Sequence, residues 1–109
     1  MTGKRPTLRG RIRAVRGRTY QAMGRYDQAL ADYDRAIELD AAYASAIHGR
    51  AETYLKMERY DDALADFDRA IELDPTEDEF AAERTEIRQL TGRSDTDDAL
   101  PSNPGTKDT

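Results

Sequence analysis

The sequence predicts an all-α protein of about five helices, arranged as antiparallel hairpins laid side by side. Three observations carry this prediction. Residues 16–40 and 50–74 align at a fixed offset of 34, with 18 of 25 positions identical; a period of this length marks a stacked supersecondary unit. Within each copy, apolar residues recur every three or four positions, which is the helical period. The 109-residue chain has 36% charged and 38% hydrophobic residues and no cysteine. That suits one small soluble helical domain whose core forms without disulfides.

The elements follow in order. In the first helix Leu8, Ile12, Val15 and Thr19 are spaced 4, 3 and 4, which predicts one buried face with the arginines turned to solvent. The second carries Tyr26, Ala29, Tyr33 and Ala36. The third runs from Ala44 to Met57, free of proline and rich in helix formers. The fourth, Tyr60 to Leu73, has Tyr60, Ala63, Leu64, Phe67, Ala70 and Ile71 on one stripe and is stopped by Pro75. Helices joined by turns of two or three residues must run antiparallel. Ala63 and Ala70 lie seven apart and leave room for a neighbouring helix. Gly17 and Ala51 share one slot, small in both copies, where the helices of a hairpin should touch. A fifth helix is expected over Thr76–Leu90. Thr76 would serve as its N-cap, acids fill its first turn, and Phe80, Ile87 and Leu90 form its apolar side. Gly92 is a natural stop. The domain should therefore span residues 7–91, with repeats at about 10–43 and 44–77 and a terminal helix at about 76–91. Residues 1–6 should be a flexible basic head and residues 92–109 a disordered polar tail.

These residues resemble the tetratricopeptide repeat. The second copy supplies Ile47, Ala51, Tyr54, Tyr60, Ala63, Phe67, Ala70 and Pro75. The first supplies Gly17, Tyr20, Gly24, Tyr26, Ala29, Tyr33 and Ala36. Arg16 and Arg50 stand where that family usually has leucine, Arg13 where it has a bulky aromatic, Glu58 at the turn glycine and Ala41 at the closing proline. The resemblance implies that the hairpins stack as a short right-handed superhelix, an α-solenoid. The first helix of each repeat would line its concave face, where the family binds peptides.

Carried over by position, that face comprises Arg11, Ala14, Arg18 and Gln21 from the first repeat. The second adds Ser45, His48, Glu52, Leu55 and Lys56, and the terminal helix adds Glu79, Ala82, Glu83 and Glu86. The surface would run from positive to negative, so a partner segment acidic at one end and basic at the other would suit it. One subgroup grips the C-terminal carboxylate of heat-shock chaperones with Lys and Asn at set places. Those slots here hold Ala14, Arg18 and Gly49, which argues against such a clamp.

Charge is distributed unevenly. Residues 1–26 contain eight basic side chains and no Asp or Glu, whereas the other 83 contain all 22 acids. The arginine-rich first helix could meet nucleic acid, but no aromatics interleave it to stack on bases. The positive first helix and negative last helix could also meet between chains, giving a homodimer or a head-to-tail oligomer. No run of about 18 apolar residues could span a membrane, and no apolar segment follows the basic head as in a secretory signal; a cytoplasmic protein is expected. His48 is the one histidine and reads as a surface residue, without Cys or a second His to complete a typical zinc site. Asp32 and Asp34, like Asp66 and Asp68, sit two apart on a helix and point different ways. No phosphate loop, nucleophile elbow or catalytic constellation appears. The expectation is a protein- or peptide-binding module without catalytic activity, cofactor or metal.

Overall fold

A computed structural model describes residues 6–92. Apart from Pro6 and Gly92, the expected loose head and polar tail lie outside the described residues. The described residues form five helices: α1 (Leu8–Ala22), α2 (Tyr26–Leu39), α3 (Ala44–Lys56), α4 (Tyr60–Leu73) and α5 (Asp78–Thr91). α1 pairs with α2 and α3 with α4. The second hairpin stacks on the first through α2 and α3, and α5 closes on α4.

The ends of the helices follow local chemistry. The Thr7 hydroxyl accepts from the Gly10 amide at 3.0 Å and caps α1. Gly24 turns α1 into α2 with φ +77°, and Gly92 ends α5 in the same left-handed conformation. At the repeat-equivalent turn Glu58 is held at φ 61°, a region that costs a residue with a Cβ about 1–2 kcal/mol. Glu58→Gly is therefore expected to raise stability by about 0.5–1 kcal/mol in chemical denaturation, less than the relieved strain because glycine frees the unfolded chain. A loss of stability on this substitution would show that Glu58 makes a compensating contact.

Alanines make the close approaches. Ala29, Ala36, Ala46, Ala51, Ala63 and Ala70 are fully buried. Tyr33 is the keystone of the first core cluster, with Ala14, Ala29, Ala36 and Ala46 around it. Its ring lies over two glycines. A Cβ on Gly17 of α1 would come within 3.1 Å of the ring, and one on Gly49 of α3 within 2.5 Å. Phe67 holds the matching place in the second cluster, with Ala51, Ala63, Leu64 and Ile87.

The structure corrects three expectations about the helices. The apolar stripe of α1 does not face the core: Leu8, Ile12 and Val15 are 68, 56 and 66% exposed. The buried side is instead Gly10, Ala14 and Gly17, because the Tyr33 ring sits against Gly17 and Ala14, and Gly10 lies close to Ala36 and Leu39 of α2. Thr76 is not the cap of α5. Its hydroxyl donates to Asp74 at 2.8 Å, and the helix starts at Asp78 after Glu77. Leu90 is exposed rather than part of the α5 core face, which is Phe80 and Ile87.

The arginines at the family's leucine slots form an ion-pair ladder with the paired aspartates. Arg16 binds Asp32 through two contacts of 2.8 Å. Arg50 holds Asp66 in the same fork, at 2.8 and 2.9 Å, and reaches back to Asp34 of the preceding hairpin at 2.9 Å. Arg84 of α5 repeats that backward reach, to Asp68 at 2.8 Å. Asp32 and Asp66 are buried. The aspartates two apart do point different ways, one inward to its own hairpin and one to the next helix.

A groove across the first helices

α1, α3 and α5 together frame a groove of about 480 Å³, with Tyr33 of α2 at its floor. Ala14 and Arg18 enter it from α1, Ser45, His48 and Glu52 from α3, and Glu79 from α5. These are six of the positions expected on the concave face. The sequence reading missed Val15, Tyr33 and Tyr43, which also line it, as does Gly49, noted from sequence only as a clamp slot without a side chain. A side chain at Gly49 would run into the Tyr33 ring.

The remaining expected positions lie elsewhere. Gln21 serves the interior, its Oε1 accepting from the Tyr33 hydroxyl at 3.2 Å and from Thr53 at 2.9 Å. Leu55 is half-buried against the α3–α4 core, because its place near the end of α3 turns it toward the second hairpin. Arg11 borders the exposed apolar strip of α1. Lys56, Ala82 and Glu86 are exposed outside the groove lining.

One end of the groove gathers carboxylates. His48 Nε2 is hydrogen bonded to Glu83 Oε1 at 2.6 Å and lies 3.5 Å from Glu52. With Glu79, these groups bring their donor atoms within 4.8 Å of one another. The imidazole and three carboxylates are the hard and borderline donors that could hold a divalent cation, or a cationic side chain. His48 is not the surface residue expected from sequence. Its side chain is mostly buried, its ring is 4.5 Å from that of Phe80, and it meets Phe67 edge-on at 5.7 Å. The cluster was legible only through the repeat, since His48 and Glu83 are one period plus one residue apart.

Burial pushes the Glu83 carboxyl above its ordinary range. The hydrogen bond to His48 pulls it down, and the nearby Glu52 raises it further. Burial also pushes the Tyr33 hydroxyl up to about 12. It therefore stays protonated at neutral pH as the donor to Gln21. On the α1 side of the groove Arg18 supplies positive charge.

Comparison with known proteins agrees with this architecture. The model of the tetratricopeptide repeat matches residues 44–77, and a second model, described as TPR repeat, matches residues 17–58. No curated protein matches the chain. Among solved structures, the second TPR domain of Spaghetti (RPAP3), bound to the HSP90 peptide SRMEEVD, is 32% identical with a TM-score of 0.74. That match covers 78% of this chain and 79% of that one. The second TPR domain of human RPAP3, in complex with the HSP70 peptide SGPTIEEVD, is 32% identical with a TM-score of 0.68, covering 76% and 72%. The first TPR domain of Spaghetti, bound to SRMEEVD, is 23% identical with a TM-score of 0.73 and shows the shared fold. With its period, its paired helices and these relatives in agreement, the chain belongs to the tetratricopeptide repeat family.

Proposed function

We propose that the chain is a protein-interaction module that holds a peptide or protein segment in the groove across α1, α3 and α5. The observation that carries this reading is the groove itself. It is continuous over the first helices of both repeats and the terminal helix, and it offers Arg18 at one end and Glu52 and Glu79 at the other. Two relatives at 32% identity were solved with peptides bound. Their peptides end in EEVD, whereas this groove places Ala14 and Gly49 where a carboxylate clamp would need polar donors and sets carboxylates alongside. An acidic chaperone tail is therefore a poor fit, and a segment with a basic residue near Glu52, Glu79 and Glu83 is a better one.

The test compares the parent with Glu52→Lys/Glu79→Lys in capture from lysate followed by titration of the captured segment. Reversing two groove charges is expected to weaken binding at least tenfold, about 1.4 kcal/mol, with the circular dichroism unchanged. Equal recovery of the same partners by both proteins would defeat the reading. A peptide SRMEEVD that binds the parent more tightly than its charge-inverted counterpart would defeat the stated preference.

A further inference from the structure

The exposed strip on α1 has a place in the repeat. Shifted by one period, Ile12, Val15 and Thr19 become Ala46, Gly49 and Thr53 of α3, all of which are buried in the stack. Shifted again, the outer two become Phe80 and Ile87 of α5, also buried. In the second and third first-type helices, then, this face is the one that stacks on the preceding hairpin. α1 keeps it apolar, extends it with Leu8 and Met23, and leaves it exposed. Leu8, Ile12 and Val15 line a shallow apolar depression beside Arg11. Arg9, Arg11 and Arg18 stand exposed around it, with no carboxylate partner among the described residues.

The opposite end of the molecule offers a complement. Ala81 and Thr85 of α5 occupy the slots of Ile47 and Ala51, which are buried in the α3–α4 hairpin, yet here they are exposed. This is a helix seat with small side chains, edged by exposed Glu79 and Glu86 and by Leu90. Large aliphatic side chains with arginines on one helix thus meet small side chains with glutamates on the other. Two α1 strips facing each other would instead set arginine against arginine. We propose that the exposed face of α1 is a docking surface for a second copy of this chain, which presents its acidic helix α5 to it. The contact is heterologous, so it propagates head to tail or closes into a ring. Val15, Arg18 and Glu79 also line the groove, so the two surfaces share an edge, and Arg9→Glu/Arg11→Glu, which lies outside the groove lining, tells them apart.

Sedimentation velocity of the full chain between about 5 and 500 µM tests the proposal. At about 50 mM salt the weight-average mass is expected to rise with concentration to at least twice the 12.3 kDa of one chain, and to fall back at about 500 mM salt as the charges are screened. Val15→Asp, on an exposed helical position, should remain a folded monomer throughout. Arg9→Glu/Arg11→Glu and Glu79→Lys/Glu86→Lys should each be monomeric alone and associate again when mixed, because the reversed α1 of one meets the reversed α5 of the other. A parent that stays monomeric at the highest concentration and low salt overturns the proposal. So does association that Val15→Asp leaves intact, or a mixture that fails to recover. Binding of a monomeric parent to phosphatidylserine vesicles, abolished by Val15→Asp, would assign the strip to lipid and overturn it as well.

Discussion

Tyr33→Ala is expected to destabilise the protein by about 3–5 kcal/mol, the range for deleting a large aromatic from a tight core. Tyr33 is 2% exposed and joins three helices, since its ring fills the space left by Gly17 on α1 and Gly49 on α3. The void cannot collapse easily, because the alanines around it are short and the glycines have nothing to move inward. A domain of this size has a total stability of only about 5–10 kcal/mol, so the melting temperature should fall by about 20 °C or more. Tyr33→Phe separates packing from polarity. It keeps the ring and loses only the hydrogen bond to Gln21, at a cost of about 1 kcal/mol. Thermal and urea unfolding of the pair decide the matter: if Tyr33→Ala stays within 1 kcal/mol of the parent, Tyr33 does not hold the hairpins together. The same substitution should also loosen the groove, whose floor is this ring.

How much of this could be read in the sequence depends on the kind of signal. The repeat placed four helices to within about two residues, because helical period and offset agree over both copies. It failed on α1, where the most hydrophobic stripe was taken for the buried one. The usual rule assumes that bulk goes inside, but here the bulk comes from Tyr33 and the α2 helix, and α1 makes room for them with Gly10, Ala14 and Gly17. It also failed at Thr76, where the hydroxyl had a closer partner in Asp74 than in the helix that follows. The groove was legible by position along α1 and α3. The four members of its carboxylate cluster were placed there too, but not the burial of His48 or its contact with Glu83. The aspartates at 32, 34, 66 and 68 were recognised as diverging, but the arginines that match them were noted only as departures from a leucine.

Those arginines carry the second large effect. Asp66→Ala is expected to cost about 2–3 kcal/mol, near the lower end for breaking a buried ion pair. The carboxylate is buried and accepts a two-pronged contact from Arg50 at 2.8 and 2.9 Å. Removing it strips the best partner from an arginine whose side chain is three-quarters buried. The cost stays below the full range because Asp34, exposed on the preceding hairpin, still binds Arg50 at 2.9 Å. Adding Arg50→Leu, the residue the family commonly places there, removes the stranded charge. The double variant is therefore expected to return to within about 1 kcal/mol of the parent. Urea denaturation of the two single variants and the double completes the cycle. Simple additivity of the two losses would mean that Arg50 and Asp66 do not act as a pair. The recovery should not extend to the groove. Arg50 ties its own hairpin to the one before it through Asp34, and Arg84 ties α5 back through Asp68. A leucine at 50 restores burial, but it has no hydrogen bond with which to fix the rotation of one hairpin on the next. The double variant should thus match the parent in stability while binding a groove ligand more weakly, which separates what holds the repeats together from what sets their register.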